Sequence, residues 1–232
     1  MSICAIWGAP QSGKTTLALN LAYGISRGDK TVCLISPVEY SELSALLGVK
    51  IPEEQSLGAA LKGRAGIRQT MFRADELFYV LAMPVTADAF DNDYSDEQVK
   101  RLLDLARLTF DFVLVDCPSQ PDNLIAAWSL NKADQVLLCV GGPVSCVMWH
   151  RANKKALQAV QSKTVCVGSE VTQALDSAKL YKLLKCMPEI RIPYIKDAAL
   201  LQSEGRFLFG QSGKKGRAYA SVINKLYGVM QL

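Results

Sequence analysis

Ile3-Cys4-Ala5-Ile6-Trp7-Gly8-Ala9-Pro10-Gln11-Ser12-Gly13-Lys14-Thr15-Thr16-Leu17-Ala18-Leu19-Asn20-Leu21 is the stretch whose reading decides the fold. Its opening apolar run is too short for a helix and suits a buried strand. The run stops at Gly8 to Thr15, which satisfies the pattern G-x-x-x-x-G-K-[ST] at every fixed position. Helical spacing then resumes from Thr16, with Leu17 and Leu21 on one face. Strand, glycine loop and helix in that order form the setting in which such a loop grips phosphate. Gly8 and Gly13 let the backbone curl so that its N–H groups face phosphate oxygens, and the helix adds the positive end of its dipole. Lys14 can reach β- and γ-phosphates, and the Thr15 hydroxyl is placed for Mg²⁺. The loop from Gly8 through Ala9, Pro10, Gln11, Ser12, Gly13, Lys14 and Thr15 to Thr16 is therefore the candidate nucleotide site, with ATP and Mg²⁺ as the expected cofactors.

Outward from the loop, Asp111-Phe112-Val113-Leu114-Val115-Asp116 is a buried strand ending in a carboxylate. An Asp at the carboxyl tip of an apolar strand is where an acid near the nucleotide's Mg²⁺ belongs. The alternative is an Asp that only begins the next turn, since Pro118 follows. A complete phosphate loop in the same chain favours the first reading, which makes Thr15 and Asp116 the metal candidates and Lys14 and Asp116 the catalytic ones.

Thr31–Ile35, Leu77–Leu81, Gln135–Val140, Thr164–Gly168 and Glu189–Ile192 read as further strands. Helices are expected over Leu43–Leu47 (closed by Gly48), Ser56–Lys62, Asp96–Leu108, Val144–Gln161, Asp176–Cys186, from about Asp197, and from Lys215 onward. Residues 49–76 resist a clear reading. Strands alternating with helices imply an α/β chain whose mainly parallel sheet is covered by helices on both faces. With no linker and no internal repeat, residues 1–232 are expected to form a single domain.

Half of the 232 residues are hydrophobic and 21% are charged, which is ordinary for a globular protein. No run of apolar residues is long enough to span a membrane, and no export signal precedes the first strand. A net charge of +4 permits a basic patch without arguing for nucleic acid. The seven cysteines include no C-x-x-C pair. Cys4, Cys33, Cys139 and Cys166 sit in apolar strand runs, a pattern that suits free, buried thiols in a reducing cytoplasm.

Four lesser features have plain readings. Asp91, Asp93 and Ser95 open like a calcium loop, but its sixth position is Asp96 and its twelfth Leu102, so that site fails. Ser95 and Gln98 instead form a capping box. His150, beside Trp149, reads as a packed or surface side chain rather than a catalytic base. Gln211-Ser212-Gly213-Lys214 echoes the phosphate loop, but Leu208 replaces the required Gly. Tyr219, Val222, Ile223, Leu226 and Met230 form an apolar stripe that reads as core packing in preference to membrane docking.

Taken together, the phosphate loop, the Val32–Gly48 segment, the Asp111–Pro118 strand and the Ile192-Pro193-Tyr194 turn resemble the ParA/MinD family of P-loop ATPases. The resemblance covers nearly the whole chain and is similar in detail to the CpaE/TadZ-like members, here without an N-terminal receiver-like domain. It implies a P-loop NTPase fold and an ATP-binding switch that dimerises on nucleotide and positions or recruits a protein partner of a positioning, pilus or partition system. It also implies a place for Pro193 at the nucleotide. The chain departs from the family where Ala9 stands for a lysine that reaches the partner's ATP, Pro10 and Gln11 stand for glycines, and Ser36 and Val38 stand for the two acids of D-x-D. Glu39 is adjacent but would face the other way on a strand. Those losses fall on transition-state groups, so nucleotide binding is expected to survive with slow hydrolysis. An alternative is a partition ATPase on nonspecific DNA, using Arg151, Lys154 and Lys155 on one helix and Lys214, Lys215 and Arg217 near the end. A P-loop small-molecule kinase is less favoured, as no lid rich in His, Asp or Arg is visible.

Overall fold

The computed structural model describes the chain except for residues 64, 85, 87–93, 121, 174–175 and 232. Asp91 and Asp93 of the failed calcium pattern lie outside the described residues. Strand β1 (Ser2–Gly8) leads through the loop into α1 (Lys14–Ser26), then β2 (Val32–Ile35), α2 (Leu43–Leu47) and α3 (Leu57–Lys62). The chain continues through β3 (Phe72–Arg73), β4 (Phe78–Leu81), α4 (Asp96–Thr109), β5 (Phe112–Asp116), α5 (Leu124–Lys132), β6 (Gln135–Val140), α6 (Ser145–Ala152) and α7 (Lys154–Val160). It closes with β7 (Thr164–Ser169), α8 (Ser177–Leu184), β8 (Ile190–Ile192), α9 (Ala198–Ser203) and α10 (Gly213–Met230).

Among the described residues, eight strands form one sheet in the order β3-β4-β2-β5-β1-β6-β7-β8, all parallel except the short edge strand β3. Alternation along each strand sorts its side chains onto two faces. Ile3, Ala5, Trp7, Val113, Val115, Val136 and Leu138 join the core beneath α3–α6. Cys4, Ile6, Phe112, Leu114, Leu137 and Cys139 join the core beneath α1 and α10. Burial on both faces explains why these strands read as continuous apolar runs. β5 and β1 are neighbours, with Asp116 in register with Ile6. The loops after these two strands therefore open at the same carboxyl edge.

Several local signals hold. Ser95 and Gln98 close the capping box on α4. Gly48 ends α2 with a left-handed φ of 65°. The apolar stripe of α10 is covered, with Tyr219, Ile223, Leu226 and Met230 buried against the α1 side of the sheet. No helix among the described residues is long and apolar enough to cross a membrane.

Other expectations are corrected. Residues 124–132, not anticipated as a helix, form α5, capped by the Asn123 side chain on the Ala126 amide. Its sequence is apolar nearly all round, so it carries no helical polar stripe. The single helix expected over Val144–Gln161 breaks at buried Asn153, whose side-chain amide returns to the Trp149 carbonyl. Arg151 therefore sits on α6, and Lys154 and Lys155 on α7. Cys166, expected as a free buried thiol, is joined to Cys186, because the turn after α8 returns beside β7 and brings their Cα atoms to 6.7 Å. Cys4, Cys33 and Cys139 are free and buried as expected.

Candidate functional site

The site begins at the tip of β1, where Gly8 passes so close to β6 that a Cβ there would lie 2.4 Å from the Cys139 carbonyl oxygen. Gly13 takes a left-handed φ of 80° and precedes α1, and a Cβ on it would press on the Ser169 hydroxyl at 2.9 Å. Only glycine meets both demands, so the two fixed glycines of the motif are fixed by packing as well as by turn geometry. Between them, the Ala9 carbonyl accepts from the Ser12 amide, and Pro10 and Gln11 face solvent.

Lys14 opens α1 and folds back over the loop. Its ammonium donates to the Ala9 carbonyl and to the Ser119 hydroxyl, both at 2.8 Å. Ser119 in turn donates to the Gly8 carbonyl at 2.8 Å, and its own carbonyl accepts from the Trp149 indole at 2.8 Å. Trp149 meets Trp7 edge to face at a centroid distance of 4.9 Å. The strand and two aromatic rings thus hold the serine that holds the lysine. Burial lowers the Lys14 pKa, and the nearby Asp116 charge opposes that shift.

Asp116 points to the α1 side because it alternates with Phe112 and Leu114. There its Oδ2 accepts from the Thr15 hydroxyl at 2.7 Å, while its Oδ1 is buried with no hydrogen-bond partner among the described residues. Burial pushes the Asp116 pKa up to about 6; the Thr15 bond and Lys14 pull it down, and Glu42 adds to the rise. A hydroxyl and a carboxylate converging at a helix start, with one carboxylate oxygen left over, form the oxygen donor set that suits Mg²⁺. The residues present fit that ion. The buried and unpartnered Ser12 hydroxyl adds one more polar atom in the loop available to a phosphate oxygen. Thr16 faces away, sharing hydrogen bonds with the Gln202 amide of α9 at 3.1 and 3.2 Å.

The fold brings Gly8, Ala9, Ser12, Gly13, Lys14, Thr15 and Asp116 together. Pro193 follows β8, three strands from β1 along the same carboxyl edge, and is not part of the Lys14–Asp116–Ser119 cluster. Ala9 is fully buried among the core residues beneath α3–α6. Val38 is half-buried in a bend beyond β2, so strand alternation does not govern Glu39 as expected; Glu39 is exposed there. His150 is packed edge to face on Trp149, as a structural histidine would be. Ser119, Trp149, Glu42 and Gln202 were not anticipated. Ser119 follows Asp116 by three residues and could have been weighed, whereas Gln202 lies 186 positions from its partner and had no local signal.

No protein-family model matches the chain. It is 28% identical over 111 residues to the septum site-determining protein MinD of Bacillus subtilis, covering 46% of this chain and 41% of that protein. To the chromosome partitioning protein ParA of Myxococcus xanthus it is 27% identical over 143 residues, 58% of this chain and 48% of the relative. The curated relatives are matched over only 40–55% of their own length. Among solved structures, MinD of Pyrococcus horikoshii complexed with Mg-ADP superposes with a TM-score of 0.79 at 18% identity, over 99% of this chain and 98% of that one. At that identity the agreement is one of fold. In fold, and in these partial stretches of sequence, the chain is similar to the P-loop ATPases of the MinD/ParA family.

Proposed function

We propose that the protein is an ATP-binding switch of the MinD/ParA type, in the divergent group that includes the CpaE/TadZ-like proteins. The observation that carries this reading is the convergence of Lys14, Thr15 and Asp116 on one glycine-framed loop, with the free Asp116 oxygen beside the Thr15 hydroxyl. Lys14 and the loop amides would bind the phosphates, and Thr15 and Asp116 would hold Mg²⁺, which would supply charge neutralisation to the bound nucleotide. The Mg-ADP complex of the Pyrococcus horikoshii relative supports the choice of ligand.

Turnover in this reading is slow. The position from which a lysine would reach a second subunit is a buried Ala9, and Val38 can neither orient nor deprotonate water. Loss of a transition-state cation of that kind costs ~10³-fold or more in rate. Nucleotide then acts mainly by changing association: the ATP form pairs with a second copy, and the pair recruits a partner protein in the cytoplasm. A solved MinC:MinD complex from Aquifex aeolicus supports a protein partner for proteins of this fold.

ATP binding and turnover of the purified chain, measured with and without duplex DNA, test the reading. Mg²⁺-dependent binding, negligible turnover and nucleotide-dependent dimers by light scattering are expected. DNA-stimulated turnover would instead favour a partition ATPase, for which the exposed Lys214, Lys215 and Arg217 offer a surface.

A further inference from the structure

Away from the nucleotide loop, a cavity of about 570 Å³ opens between α6–α7 and α8. Its floor is apolar, with Leu138 of β6, Val147 of α6 and Leu157 of α7. Its rim is basic: Arg151, Lys154 and Lys185 line it, all exposed, and no carboxylate among the described residues does. None of the three ion-pairs with a carboxylate among the described residues. Leu183 and Met187 also line the cavity and are 61% and 59% exposed, so its apolar lining runs out to the surface. On the wall, the His150 Nε2 is buried with no hydrogen-bond partner among the described residues.

An apolar centre ringed by unpaired cations is a specification for an occupant. A small apolar molecule would leave the rim cations unused. A polyanion such as nucleic acid would use the rim and waste the floor. A helix with an apolar ridge and acidic flanks answers both features at once, seating ridge side chains in the cavity and carboxylates against the cations. We propose that this cavity is a docking site for an acidic amphipathic helix of a partner protein. The site is separate from the phosphate loop, although α6 touches both: its inner side chain Trp149 holds Ser119, and its outer side chains Val147 and Arg151 line the cavity.

The probe is a fluorescein-labelled helical peptide of about five turns, with Leu at helical spacing and Glu on both flanks. It is titrated with the full chain and followed by anisotropy. Saturable binding is expected, weakened at least about tenfold when Arg151→Glu, Lys154→Glu and Lys185→Glu are combined. The exposed pair Leu183→Ser and Met187→Ser should weaken it independently of charge. Lys214→Glu with Lys215→Glu, on α10, should leave it within about twofold, as should Lys14→Ala, so failure here is distinguishable from failure of the nucleotide reading. All replaced rim residues are exposed, and circular dichroism checks that the variants fold. Absence of saturable binding, or equal loss with the α10 pair, overturns the proposal. So does a result in which the rim changes spare the peptide but abolish binding to phosphatidylglycerol vesicles or self-association, which would assign the cavity to lipid or to a second copy.

Discussion

Asp116 carries the sharpest conflict between stability and function. Burial raises its pKa from the ordinary 3.8 to about 6. Over roughly pH 4 to 6 the folded chain keeps a proton that the unfolded chain has released, so stability falls as pH rises through that window. The full effect is roughly 3 kcal/mol. Asp116→Asn, which keeps the shape and cannot ionise, should lose this decline. Its stability relative to the parent should therefore climb between pH 4 and pH 7 in urea titrations, while Mg²⁺ ceases to strengthen nucleotide binding. A relative stability that does not change with pH would show that the carboxyl is not strained by burial. Ala9 yields a second prediction. Because the methyl group is fully buried, Ala9→Lys should not revive hydrolysis. Its ammonium would enter the apolar core, destabilising the fold by more than about 2 kcal/mol. A folded, faster variant by thermal denaturation and phosphate release would refute this.

At the scale of elements, α10 shows how a helix can be well placed and still imperfect. Its stripe seals the α1 face of the sheet, yet the Tyr219 hydroxyl is buried with no hydrogen-bond partner among the described residues. An unsatisfied buried hydroxyl costs about 1–3 kcal/mol. Tyr219→Phe should therefore raise stability by about 1 kcal/mol, read as a higher urea midpoint with an unchanged slope. A loss of stability would mean that the hydroxyl has a partner in solution. The amphipathic α4, with its capping box, was legible in sequence, and α5 was not. Period detection needs a polar face, and Leu124–Lys132 offers almost none. The break at Asn153 was equally hidden, since Asn is tolerated in helices and only its bond to the Trp149 carbonyl marks the interruption.

For the whole molecule, ligand binding to the folded state alone must raise stability by mass action. Mg-ATP at about 100 times its dissociation constant should add roughly 2.7 kcal/mol. For a chain of this size that is a rise in Tm of roughly 5–10 °C. Lys14→Ala should show no such rise, because the loop loses the cation that now bridges Ala9 and Ser119. An equal shift in the variant by scanning fluorimetry would place nucleotide binding elsewhere.

The sequence by itself determined the phosphate loop, the strand that delivers Asp116 and the alternating α/β order, because each depends on residues close in the chain. Gly8, Gly13 and Lys14 follow from local turn chemistry, and the apolar runs follow from strands buried on two faces. Tertiary structure alone decided what surrounds that loop. The strand order sets β5 beside β1, so that Asp116 and then Ser119 meet residues more than 100 positions away. The same packing turned Ala9 into a core residue, drew Cys186 to Cys166 and left a basic-rimmed cavity beside α6. Those outcomes depend on which face meets which neighbour, and periodicity along one chain carries no record of that.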